Sequence, residues 1–210
     1  MRLRINRECE ACLRLQRTRY QKDAITEDSV TAEIRADLDS FLGFVPAGAS
    51  RWLDVGCGMA LVDVALFQAV RARGVPRCTV YLMDRTRVDK DKRLVGYGAV
   101  DDFGFYSDFG RVEELLELNG APKDSFVFLD APEFPPDSER LDLVLSRISW
   151  CFHYPYEVYA DAAHRALRPG GALIVDCRKG LESSLLYDAR YAWRTCNSTA
   201  KFTTMCGTKL

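Results

Sequence analysis

The chain has 210 residues, 48% hydrophobic and 28% charged, with 29 Lys and Arg against 30 Asp and Glu for a formal charge of −1. This ordinary globular composition excludes a disordered, collagenous or coiled-coil chain, and the length suits one domain that buries about 70% of its unfolded surface. The charge offers no global attraction to nucleic acid or membrane, no apolar run approaches the roughly 18 residues of a span, and the Arg-rich start leads into no apolar signal core, so a cytoplasmic protein is expected.

Charge is segregated at the start of the chain. Met1 to Lys22 carries seven Lys and Arg with two Glu, and Asp23 to Ser50 carries six acids with only Arg35. The second stretch places Val30, Ile34, Leu38, Phe41 and Leu42 on one helical face, and Gly43 with Pro46-Ala47-Gly48 ends it. Residues 1–50 therefore read as an N-terminal helical cover over a domain spanning 51–210.

From Arg51 onward short apolar runs alternate with helical stretches. Strands are expected at Trp52–Val55, Thr79–Met83, Phe126–Leu129, Leu141–Leu145 and Ala172–Cys177, and helices near Met59–Arg73, Ser107–Leu118 and Tyr156–Leu167. Runs of Val, Leu and Phe without alternation suit strands covered on both faces, so the expected fold is α/β, a doubly wound, mostly parallel sheet of seven strands. The long connection Arg85–Tyr106, charged and then rich in Gly and aromatics, reads as a lid. A terminal antiparallel hairpin around Asn197-Ser198 is expected over Trp193–Leu210.

Eight cysteines, at 9, 12, 57, 78, 151, 177, 196 and 206, read as reduced thiols because several fall within apolar strand-like runs. Cys9 and Cys12 form one C-x-x-C, but a partner pair such as Cys196 and Cys206, ten apart, has the wrong spacing for a zinc knuckle, so no metal site is expected.

Chemistry is written most plainly at Trp52-Leu-Asp54-Val-Gly56-Cys57-Gly58-Met59-Ala60. A strand ends in an acid, two glycines at spacing two make a tight turn, and a helix opens with its free N–H groups aimed at a ligand. The dinucleotide fingerprint G-x-G-x-x-G would want Gly or Ala at 61, where this chain has Leu61. A carboxylate at the strand end suits a ligand carrying ammonium and sulfonium groups better than a pyrophosphate, which it would repel.

This D-x-G-x-G-x-A run resembles the first motif of the class I S-adenosylmethionine-dependent methyltransferases, with Ala60 in place of the last glycine. Asp84 ends the second strand 26 residues after Gly58, Leu129-Asp130-Ala131 ends the third, Leu141-Asp142-Leu-Val-Leu-Ser146 is similar to the fourth-strand motif, and Leu167-Arg-Pro-Gly-Gly171 resembles the turn into the fifth. The resemblance implies S-adenosylmethionine as cofactor and S-adenosylhomocysteine as product. It places Asp54, Gly56, Cys57, Gly58, Asp84, Arg85, Asp130, Ala131 and Ser146 around them, Asp84 toward the ribose and Asp130 toward the adenine amino group.

The acceptor should face the ends of strands four and five. There the sequence holds Arg147, Trp150, His153, Tyr154 and Arg178, with Tyr106 on the lid. A hydroxyl acceptor must lose a proton, and His153 is the natural general base; a site-lining role for it is the alternative. Arg147 and Arg178 could grip a substrate carboxylate or phosphate. His164, mid-helix, reads as structural, Cys57 as no nucleophile, and Asp142 as part of its strand; Arg19 or Tyr20 could reach the methionine end of the cofactor. The expected function is methylation of a small molecule on oxygen or else nitrogen, by a monomer or homodimer, with an RNA or protein methyltransferase or a non-catalytic binding subunit as alternatives.

Overall fold

The computed structural model describes residues 2–16, 24–85, 108–136 and 138–210. Its elements run α1 (Arg7–Gln16), α2 (Glu27–Asp39), β1 (Arg51–Val55), α3 (Leu61–Ala72), β2 (Thr79–Asp84), α4 (Phe109–Leu118) and β3 (Phe126–Asp130). They continue with β4 (Leu141–Ser146), β5 (Ser149–Tyr154), α5 (Ala160–Ala166), β6 (Leu167–Arg178), α6 (Ser183–Leu186), β7 (Tyr191–Ser198) and β8 (Phe202–Lys209).

Seven strands form one sheet in the order β3-β2-β1-β4-β6-β8-β7. Pairing is parallel from β3 to β6, and β8 inserts antiparallel between β6 and β7. This is the expected α/β architecture. The central strands share continuous apolar runs, Val80–Met83, Leu143–Leu145 and Ala172–Val175, because both faces are covered. One face carries α2 and α3, with Val30, Ile34 and Leu38 in the same cluster as Trp52, Leu66 and Val80; the other carries β5 and α5, with Trp150, Tyr156 and Tyr159 against Leu53 and Val144. The described part of residues 1–50 thus packs into the core of the sheet.

Local chemistry explains the element ends. Thr26 and Ser29 cap α2 reciprocally, each side chain accepting from the other's backbone N–H. Asp108 caps α4 through the N–H groups of Gly110 and Arg111. At the amino end of the sheet Asp142 accepts from the Ser50 and Arg51 N–H groups at 2.8 and 3.0 Å and from Arg168 Nε at 2.6 Å, tying β1 and β6 to β4.

Two elements differ from the sequence expectation. The helix expected over Tyr156–Leu167 is a 3-10 turn at Tyr156–Val158 followed by the shorter α5. Trp150 Nε1 donates to the Tyr156 carbonyl at 2.9 Å, which withdraws that carbonyl from an α-helical bond. The segment after β4 is extended as β5, outside the seven-stranded sheet, and is entered through left-handed Ile148 at φ 51°. The expected hairpin is present, turning at residues 199–201. Apart from Arg85, the lid expected at Arg85–Tyr106, including Tyr106, lies outside the described residues, as do Arg19, Tyr20 and the Cys12 side chain. No described helix is long and apolar enough to cross a membrane.

Candidate active site

The order of the sheet reverses between β1 and β4, so their carboxyl ends open a crevice, the place where doubly wound sheets bind ligands. Val55 and Ser146 end the two strands. Ser146 is fully buried: its Oγ donates to the Val55 carbonyl at 2.7 Å and accepts the Trp150 N–H at 2.9 Å. Instead of facing a cofactor, this hydroxyl ties the crevice wall together.

The glycine turn follows β1. Gly56, Gly58 and Ala60 all adopt left-handed backbone, at φ 79°, 55° and 52°. The Gly56 and Cys57 N–H groups donate to the Met83 carbonyl at 2.7 and 3.1 Å, and the Gly58 N–H donates to Asp84 Oδ2 at 2.8 Å. Arg85 closes the set by donating its N–H to Asp84 Oδ1 at 2.7 Å, so the carboxylate ending β2 holds the turn. Gly56 meets a further demand. A Cβ there would lie 1.9 Å from Ser149 Oγ, so its absence admits the first residue of β5 against the turn.

Four acids stand at or beneath this end of β1, β2, β3 and the start of α3. Asp84 and Asp130 are register partners at the ends of β2 and β3, with Asp130 exposed, and the Ala131 N–H donates to the Asp84 carbonyl. Asp54 is buried beneath the turn with its Oδ1 given no donor among the described residues. Asp63, in the first turn of α3, is fully buried and accepts the Trp52 indole N–H at 2.9 Å. Burial and the Asp84, Asp54 and Asp63 charges push the Cys57 thiol well up, which keeps it from acting as a nucleophile. Asp63 was missed by sequence reasoning, although a single acid in the apolar run Leu61–Leu66 was its signal.

Where the sequence placed the acceptor, β5 and the end of β6 meet. The Arg178 guanidinium lies 4.7 Å from the Phe152 ring centre, and Phe152 meets His153 edge-on at 5.0 Å. Burial, then the Arg178 charge, lowers the His153 pKa from its ordinary value, so the imidazole is neutral near pH 7. Arg85 stacks on Tyr154 at 5.3 Å, joining the end of β2 to the end of β5.

Two expected substrate contacts are corrected. Trp150 is fully buried, stacked on Tyr156 at 5.5 Å with its indole N–H spent internally. Arg147, its side chain 8% exposed, pairs with fully buried Asp176 at 2.7 Å, lies over Phe41 and reaches the Asp37 carbonyl at 3.3 Å. Trp150 is buried because β5 folds back over the sheet, and Arg147 because the end of α2 packs over it from the other face. His164 packs edge-on against Tyr191 at 5.6 Å, away from the crevice. Among the described residues no three metal-ligating side chains converge.

The chain has the Rossmann-like methyltransferase fold. It is similar to a SAM dependent methyltransferase from Aquifex aeolicus at TM-score 0.57 and 13% identity, over 89% of this chain and all (100%) of that one. A cofactor-bound protein from MTB matches at TM-score 0.53 and 13% identity, covering 90% of this chain and 82% of that one. A T. thermophilus 16S rRNA methyltransferase in complex with AdoMet and guanosine matches at 0.51 and 18%, over 82% of this chain and 42% of its own. No protein-family model and no curated protein matches the sequence.

The donor set can be tested against the cofactor that this fold suggests. Carboxylates close three adjacent strands, a buried carboxylate oxygen lacks a donor beside the turn, and the α3 N-terminus carries no side-chain cap. Acceptors for hydroxyls, an amino group and an ammonium are supplied, and a polyphosphate would meet like charge. The residues fit S-adenosylmethionine.

Proposed function

We propose that this protein is a methyltransferase that binds S-adenosylmethionine at the β1/β4 crevice and methylates a small molecule on a hydroxyl oxygen or else on an amine nitrogen. The observation that carries the reading is the placement of Asp54, Asp84 and Asp130 at the carboxyl ends of three adjacent strands beside the switch point of the sheet, with Asp84 bonded to the glycine turn. Bound there, the cofactor supplies a sulfonium methyl group for in-line displacement by the acceptor. Asp84 orders the turn and offers its remaining lone pairs to hydroxyl donors; Asp130, exposed one strand away, accepts from an amino group.

Methyl transfer disperses charge, so the chain contributes chiefly by alignment, worth about 7 to 11 kcal/mol where geometry is favourable. His153, held neutral, takes the proton of a hydroxyl acceptor as the bond to carbon forms. Arg178 and Arg85 present cationic faces beside Phe152 and Tyr154, which suits an acceptor with an aromatic or anionic portion. Residues 1–50 are proposed to cap this side, since Arg147 ties the end of α2 to the end of β4.

Calorimetric titration with S-adenosylmethionine and S-adenosylhomocysteine tests the reading. Micromolar binding of both, abolished in Asp84→Ala, is expected; no binding of either moves a non-catalytic role ahead. Acceptor binding that weakens steeply with salt would point to RNA instead.

A further inference from the structure

Asp54 comes from the end of β1 and Asp63 from the first turn of α3, and the two carboxyls lie within interaction range of each other. Both are buried, at 3% and 0% exposure. The Trp52 indole satisfies Asp63 Oδ1, whereas Asp54 Oδ1 and Asp63 Oδ2 have no donor among the described residues. Two ionised carboxylates cannot satisfy each other, because each only accepts. One proton between them makes one a donor and removes a like-charge contact from a buried place.

We infer that Asp54 and Asp63 hold a single proton between them in the free protein and release it when the cationic cofactor binds, with Asp63 a positioning residue that acts through Asp54. This rests on the cofactor reading above. The groups facing the pair are Asp84 from β2, Cys57 in the turn and Arg147 after β4. Burial foremost, then the Asp63 and Asp84 charges, pushes Asp54 well up against the pull of Arg147, and burial raises Asp63 to about 6. An ammonium beside Asp54 acts in the opposite sense and favours the ionised form. Binding then selects the deprotonated pair, so affinity climbs with pH, by at most about tenfold per pH unit for one proton.

S-adenosylhomocysteine, which carries the ammonium, is titrated calorimetrically near pH 7 in phosphate and in Tris, whose protonation heats differ. Proton release is expected from the wild-type protein. It disappears with binding retained in Asp63→Asn, because the amide donates to Asp54 and leaves nothing to release. Infrared spectroscopy of the free wild-type protein should show a protonated-carboxyl band near neutral pH. Binding with equal heats in both buffers overturns the coupling, and absence of the infrared band overturns the shared proton whether or not Asp63→Asn folds. A protein that shows the band but binds no cofactor refutes the cofactor reading and the coupling with it.

Discussion

Gly56 and Ala60 share left-handed backbone four residues apart, with opposite consequences. At Gly56 a methyl group meets Ser149 as well as the left-handed penalty, so Gly56→Ala is expected to cost on the order of 2 to 4 kcal/mol in urea unfolding. At Ala60 the penalty is already present, and Ala60→Gly should stabilise by up to about 1 kcal/mol; an unchanged midpoint would contradict this. His153→Ala should lower kcat by on the order of 100-fold with cofactor affinity intact. A loss below threefold leaves His153 a lining residue only. Because the imidazole pKa is lowered, the acid limb of kcat should fall below the usual histidine range near 6.5.

At the scale of elements, Arg147 pairs with buried Asp176 of β6 and also reaches the end of α2 at the Asp37 carbonyl and Ser40 Oγ. Arg147→Met leaves Asp176 buried without its cation, with Thr204 Oγ1 still donating to it at 2.6 Å. A loss of about 3 to 5 kcal/mol is expected in chemical unfolding, and adding Asp176→Leu should recover part of it. A double variant as unstable as the single would show that Arg147 acts through its contacts with α2 instead. Strand β5 was the element least legible in the sequence. Trp150-Cys-Phe-His-Tyr154 has no clear period, and its extended form depends on Gly56 admitting Ser149 and on Ser146, which accepts the nearby Trp150 N–H while it donates to the distant Val55 carbonyl.

Over the whole molecule, acid stability rests on carboxylates at separate places. Asp142 is lowered, despite burial, by the Ser50 N–H and Arg168 bonds; Asp188 is lowered to about 2, chiefly by Arg190, with Tyr156 adding a bond. For a carboxyl lowered in the folded state, the stabilisation is complete above the unfolded value near 4 and is lost as pH falls toward the folded value. Stability measured by denaturant should therefore drop between about pH 4 and 2, and less steeply in Asp188→Asn. The positions of the strands other than β5, the order of the landmark acids and the fold class were legible, because each is signalled by short-range pattern: an apolar run, a terminal acid, a glycine turn. By itself the sequence determined which acids stand at which strand ends, since chain direction and the parallel crossovers put them on one edge. Only the tertiary structure decided that Asp63 meets Asp54, that Arg147 is spent on Asp176 and that Trp150 is core. Those outcomes depend on how elements far apart in the chain pack, and on the cost of leaving a buried charge or indole N–H without a partner.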